Sequence, residues 1–508
     1  SKQTEGHRFL SSGMMTIRDA QQYESQLESA KVIASFGKRR AYIESELQKA
    51  AKGLQVLMPD ALLDEVTALV EYPAIYSCEF DPEFLEVPQE CLILTMQTNQ
   101  KYFALTNQDG KLSNRFLIVS NIQTDQPESI ISGNERVIRP RLADARFFYL
   151  QDQKRTLESR IPDLAKVIYH NQLGNQLQRS ERVRALANEI ASSLNQAGSQ
   201  LKLQEIDRAA QLAKADLLTD MVGEFPELQG VMGRYYALAN HEAPDVAAAC
   251  YEHYLPRYAG DSLPQTSVGT VLAIADKLET IIGIWGVGLA PTGDKDPYAL
   301  RRQALGILRM LIDAQLPLSF QQCLQDALAQ FPQAQADTLP ALMEFCQDRL
   351  SVNLREQGAS AKEVDAVLAL NPEYLHQIPA RLSAVQSFSH LAEAPALAAA
   401  NKRVSNILKK VEGELQAQIH PELLQEPAEQ QLAQILAEIK PKADTLFEQG
   451  NYTESLKTLA ALKAPVDNFF DHVMVNAEDA KLKANRLALL ASLHAAMNRV
   501  ADLSRLAG

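Results

Sequence analysis

From about residue 155 to its end, the chain reads as one helical segment after another, separated by breaks of a few residues. Arg155 to Tyr169, Glu181 to Asn195, Leu203 to Met221, Ala243 to Tyr254, Thr266 to Ile284 and Tyr298 to Leu311 all carry helical periodicity. The pattern continues past them with soft breaks at Phe331-Pro332, Gly358-Ala359-Ser360 and Asn371-Pro372. Such a chain buries its apolar stripes by packing helix on helix. The expected fold is therefore mostly α and, at 508 residues, divided into two to four domains. Residues 1 to about 70 also read as helical. Residues 71–122 differ: EYPAIYSCEF, CLILTMQT, KYFALT and RFLIVSNI are short β-forming runs, separated by DPEF and NQDGKLS. Asp109-Gly110 is a hairpin signal. These runs predict an antiparallel sheet packed on the preceding helices, an α+β unit over 1–154. Helical units over 155–315, 316–385 (a connector) and 386–508 follow, with a hinge candidate at EAPALAAAN near residue 395.

Between the segments ending at Ile284 and beginning at Tyr298 lies WGVGLAPTGDKDPYALRR, Trp285 to Arg302. Gly286, Gly288, Pro291 and Gly293 shape a loop, because Gly frees φ and Pro fixes it. Asp294 or Asp296 can cap the following helix, and Pro297 suits its first position. Lys295, Arg301 and Arg302 then stand beside a helix N-terminus, a place that can hold a phosphate. The alternative is a capped core helix with solvated basic residues. Asp294 after Gly293 rules out a Walker A loop.

A net charge of −13 argues against nucleic acid for the chain as a whole, since phosphate is neutralised by Lys and Arg. Local clusters decide the matter. The densest is Arg136, Arg139, Arg141, Arg146, Lys154, Arg155 and Arg160, with Phe147, Phe148 and Tyr149 among them. Arginines interleaved with aromatics suit phosphate contact plus base stacking. Two other uses stay open: internal pairing of Arg139 and Arg141 with Asp144 and Glu135, or docking onto another subunit. Lys38, Arg39 and Arg40 read as a solvated helix face. Near the C-terminus, Lys402, Arg403, Lys409 and Lys410 share one helix, and Lys481, Lys483, Asn485, Arg486 and Arg499 fall on the last two. Phe469 and Phe470 either stack bases or fill the core. Five scattered cysteines without a CxxC pair read as reduced, buried thiols of a cytoplasmic protein, and no apolar run is long enough to span a membrane.

GxGxAPTGDKDPxALRR resembles the signature of the β subunit of the bacterial heterotetrameric glycyl-tRNA synthetase. Further motifs agree: GHRF at Gly6 to Phe9, LLDEVTALVEYP at Leu62 to Pro73, TMQTNQKYF at Thr95 to Phe103, and SGNERVIRPRLADARFF at Ser132 to Phe148. KADLLTDMVGEFPELQGVMGRYYA at Lys214 to Ala237, NKRVSNILKK at Asn401 to Lys410 and FFDHVMV at Phe469 to Val475 complete the series, in the family's order. The resemblance implies a segment ahead of GHRF, so the chain is expected to be a C-terminal fragment or to have been cleaved upstream. It implies an anticodon-binding helical domain over 386–508. It also implies a tRNA-handling role for the chain beside a separate catalytic α subunit in an α2β2 complex. Partners would be that subunit and tRNA(Gly). ATP and magnesium would be used by the complex, with no cofactor on this chain. The absence of HIGH, KMSKS or class II motifs fits that division.

VLAIADKLET, Val271 to Thr280, resembles the last helix of an HD-type phosphohydrolase, with Asp276 in the place of its closing metal ligand. The family's earlier histidines are missing near Ser180 and near Lys214 to Asp216, and His170, His241 and His253 do not match their positions. Residues 155–315 are therefore expected to be a degenerate HD fold. An active HD phosphohydrolase and a tRNA-binding scaffold without synthetase role are the alternatives.

Overall fold

The computed structural model describes residues 2–411 and 418–507. The chain is mostly helical, and by internal contact it divides into two units, Ser1–Leu164 with Leu212–Tyr251, and Ala165–Gln211 with Glu252–Gly508.

The first unit holds a four-stranded antiparallel sheet in the spatial order Gln55–Val56, Phe103–Thr106, Leu112–Ser120, Ala74–Glu79. Alternation along Leu112–Ser120 sends Phe116 and Leu117 to opposite faces. Leu117 joins Ile43, Leu47, Leu63 and Val66 of the helices Phe36–Ala50 and Asp60–Leu69 in one core. Phe116 stacks on Tyr102, with ring centroids 5.0 Å apart. The long helix Glu128–Asp152 packs against the edge strand Ala74–Glu79. Asp109-Gly110 makes the expected turn: Gly110 has φ +74°, and Asn107 Oδ1 accepts from the N–H groups of Asp109 and Lys111.

CLILTMQT is not a strand but part of the helix Gln89–Gln100. It buries Cys91, Leu92, Thr95 and Met96, a helical spacing that a short apolar run does not reveal by itself. Residues 2–19 are also not helical, and Ala20–Gln22 is 3-10. Gln3–Glu5 and Met14–Thr16 pair as strands, and α-helix begins only at Tyr23. The Lys38 cluster is tied down rather than simply solvated. Arg40 pairs with Asp60 and Asp64, and Arg39 donates to the carbonyls of Thr67 and Ile33.

Helix Ser267–Gly286, buried along nearly its whole length, is the centre of the second unit. Gln176–Gln196, Leu300–Asp313, Phe320–Ala329 and Thr338–Glu356 surround it. A Cβ on Gly283 would lie 3.0 Å from the Phe331 ring, so the small residue sets that approach. Two of the predicted helices are shorter than their periodicity. Arg155 to Tyr169 becomes the short helix Leu157–Arg160, a 3-10 segment Ile161–Lys166 and the strand Ile168–His170. Pro162 lacks the N–H that a continued helix would use. The helix from Leu203 stops at Leu212, and Ala215–Leu218 is 3-10.

The C-terminal helices belong to this unit. Residue 386 lies inside helix Ile378–Ser389, and the Ala-rich hinge candidate is helix Ala394–Leu408 with Leu397 and Ala398 buried. Arg381 lies over the rings of Phe447 and Tyr452, and Asp502 N–H donates to Ala366. Of the VEGEL stretch that follows Lys410, residues 412–415 lie outside the described residues.

Candidate nucleic-acid interface

Helix Glu128–Asp152 buries Ile138, Leu142 and Ala145 and turns the opposite side outward. Arg136, Arg139 and Arg141 are exposed and form no ion pair among the described residues. The expected internal partner Glu135 instead accepts from Glu79 N–H at 2.8 Å. Phe147, 62% exposed, and Leu150 lie farther along the same side. The rest of the cluster is spent on structure. Arg146 pairs with Glu83 and Glu86, Arg155 with Asp163, and buried Arg160 donates to Asp152 and Leu218.

The glycine-proline loop differs from its expected build. Gly286 ends the central helix, and the next helix begins at Leu300, so Pro297 is not its first residue. Gly288 and Gly293 take φ +83° and +51°, and Thr292 and Lys295 bond each other through N–H and carbonyl groups. Asp296 caps the helix by accepting from Leu300 and Arg301 N–H at 2.8 and 3.0 Å. Its carboxylate thus occupies the helix N-terminus, the cap that the sequence offered for Asp294 or Asp296. Arg301 donates to the Gly293 carbonyl and staples the loop; Arg302 donates to Arg257 O at 3.3 Å but stays exposed. Lys295 is exposed at the tip without an ion pair among the described residues.

In the C-terminal helices Lys402, Lys409, Lys410 and Lys483 are exposed and have no ion-pair partner among the described residues. Arg403 stacks over Phe470 at 4.1 Å, while Phe469 is buried. Arg486 leaves the set of candidate contacts. It is buried, bonds Glu429 through Nε at 2.8 Å and Nη2 at 3.3 Å, and donates to Met474 O. Burial alone would push the Glu429 carboxyl up. Arg486 and the N–H groups of Glu426 and Gln425 outweigh it and hold the carboxyl below its usual range. A folded pKa below the unfolded one adds stability above the unfolded value, which is lost as pH falls through the folded value, so this contribution fades below about pH 4. Arg486→Ala is expected to cost about 3–5 kcal/mol, because Glu429 would be left buried without its partner. Urea titration checks this; a variant as stable as the parent would refute the structural role.

The interior of the second unit holds a network that the sequence reading missed. Arg179 donates to Asp276, Glu279 and Thr280, each at 3.0 Å, and Arg182 donates to Glu279 at 2.9 and 2.7 Å. Burial would lower the Arg179 pKa, but Asp276, Tyr169 and Glu279 more than reverse it, so the guanidinium stays charged. Its plane lies over Tyr169, whose hydroxyl burial pushes up to about 12. The signal available in sequence was two i,i+3 pairs, Arg179/Arg182 and Asp276/Glu279, on facing helices. Asp216 is committed differently. Its Oδ2 accepts from Gly230 and Gly233 N–H at 2.5 and 3.1 Å, and burial pushes its carboxyl to about 6. These residues do not fit a divalent metal. A guanidinium already holds Asp276, Asp216 serves backbone N–H groups, and no histidine stands at the matching positions.

All five cysteines are buried and none forms a disulfide, and among the described residues no helix is long and apolar enough to cross a membrane. A family model described as glycyl-tRNA synthetase beta subunit matches residues 1–369, and one described as DALR anticodon binding domain matches residues 397–503. The glycine–tRNA ligase beta subunit of Leptothrix cholodnii is 57% identical over 520 residues, covering 100% of this chain and 73% of that protein. That of Methylobacillus flagellatus is 56% identical over 510 residues, covering 99% and 72%.

Proposed function

The chain belongs to the glycyl-tRNA synthetase beta subunit family, and on that premise we propose that it holds tRNA(Gly) for glycylation at a separate α subunit. The observation that carries this reading is the exposed, unpaired set Lys402, Lys409 and Lys410, within the DALR match, in a chain of net charge −13. Basic side chains left unpaired in an acidic protein are suited to a polyanion. Arg136, Arg139, Arg141, Lys295, Arg302, Arg403 and Lys483 extend the set, with Arg301 shaping the loop around Lys295. Phosphate contacts would fix register, and unstacked loop bases would supply identity.

In this reading ATP and magnesium act at the α subunit, in an α2β2 assembly in the cytoplasm. The chain contributes by placing the tRNA end at the reacting centre, which turns an encounter between two molecules into a reaction within one complex. The buried Arg179–Asp276 pair weighs against the HD phosphohydrolase alternative, since the carboxylate a metal would need is engaged.

Reconstitution tests the proposal. The α subunit with this chain is expected to glycylate tRNA(Gly), while the chain alone gives no glycine-dependent exchange of pyrophosphate into ATP. Robust exchange by the pure chain would overturn it. So would full glycylation by α without the chain.

A further inference from the structure

The helix Ala394–Leu408 with Lys409 forms one wall of a polar cleft of about 790 Å3. Lys402, Ser405, Asn406 and Lys409 share that wall because residues three, four and seven apart lie on one helix face. The other wall is His494, from helix Ala480–Met497, together with Asp502, Ser504 and Arg505. Ser405 Oγ and His494 Nε2 lie 2.9 Å apart. Burial pushes the His494 imidazole below its usual value; Asp502 works against that shift and Lys409 with it. The ring is accordingly a neutral donor and acceptor at pH 7. Asp502 is engaged within its wall, accepting from Ser504 N–H, Ser504 Oγ and Arg505 Nε at 3.1, 2.6 and 3.4 Å. The Asn406 amide makes no hydrogen bond among the described residues, and Lys402 and Lys409 make no ion pair. The cleft therefore offers two cations without ion pairs, Lys402 and Lys409, beside the Asp502–Arg505 pair and neutral polar groups, in a volume typical of small-ligand sites.

We propose that this cleft seats one unstacked nucleotide of a single-stranded RNA loop, its phosphate between Lys402 and Lys409 and its base edge against Asn406 and the Ser405–His494 pair. The inference rests on the reading that the C-terminal helices meet tRNA. Two lysines at the rim suit a backbone phosphate, while amide, hydroxyl and imidazole groups inside suit the hydrogen-bonding edge of a base. Arg403, turned away onto Phe470, lies outside this site.

The test is tRNA(Gly) binding to the full chain at several salt concentrations. Lys402→Ala with Lys409→Ala is expected to reduce the slope of log affinity against log salt by about 0.7–0.9 per lost phosphate contact. Asn406→Ala should leave that slope unchanged. It should reduce the preference for tRNA(Gly) over a loop-substituted tRNA by roughly fivefold or more, the scale of one lost base contact. All three side chains are exposed, so folding should not change. If the parent binds no tRNA, the functional reading fails and takes this one with it. If the parent binds but both cleft variants match it, the nucleotide site alone is refuted. If inorganic phosphate binds through Lys402 and Lys409 while the double variant binds tRNA as the parent does, the cleft is a free-anion site and the RNA assignment falls.

Discussion

Arg179→Ala is expected to destabilise the second unit by about 3–5 kcal/mol, the cost of removing a buried guanidinium from the two carboxylates it bridges. Asp276 and Glu279 sit on the central helix, with side chains 9% and 0% exposed, and Arg179 is the group that bridges them. Arg182 reaches only Glu279. Arg179→Lys should recover little of the loss, since an ammonium cannot reproduce the fork that reaches both carboxylates and Thr280. Hydrogen exchange is the appropriate readout, because a chain of two units need not unfold in one step. Amides of Ser267–Gly286 should lose protection in the variant, while those of the sheet formed by Ala74–Glu79 and Leu112–Ser120 keep theirs. Unchanged protection along the central helix would show that apolar packing holds the unit without the network.

The second large effect is on RNA. Substituting Arg136, Arg139 and Arg141 together by Ala should lower tRNA affinity by tenfold or more near physiological salt. The salt slope should fall by about 2–3, at roughly 0.7–0.9 per phosphate. Stability should hardly move, because exposed side chains without partners contribute little to it. Phe147→Ala adds a separate readout: a stacked base would be worth about 1–3 kcal/mol without a change in slope. If slope and affinity stay at parental values while association with the α subunit is lost, this helix face docks protein instead. That was one of the three uses open for the cluster. Internal pairing, another of them, is removed for Arg139 and Arg141 by the geometry itself, since neither has an ion-pair partner among the described residues.

What the sequence determined by itself was local. Helical period predicted the central helix to within two residues at either end, because each turn repeats the same burial. Asp109-Gly110 specified its turn through the positive φ that Gly110 accepts. The ordered motifs marked the family, and the comparisons bear that out over the whole chain. Where the sequence misled, the deciding partner was distant. CLILTMQT is short and apolar enough for either structure, and burial at helical spacing selected the helix. Arg486 looked like its neighbour Lys483 until a carboxylate 57 residues earlier in the chain met it in the interior. Arg179 and Asp276 lie 97 residues apart, and the i,i+3 spacing of each with its neighbour does not say that the two pairs will meet. Periodicity and turn chemistry act between near neighbours, so a sequence carries them openly. Whether a charged side chain faces a ligand or a counter-charge depends on which surfaces packing brings together, and that was decided only in the tertiary structure.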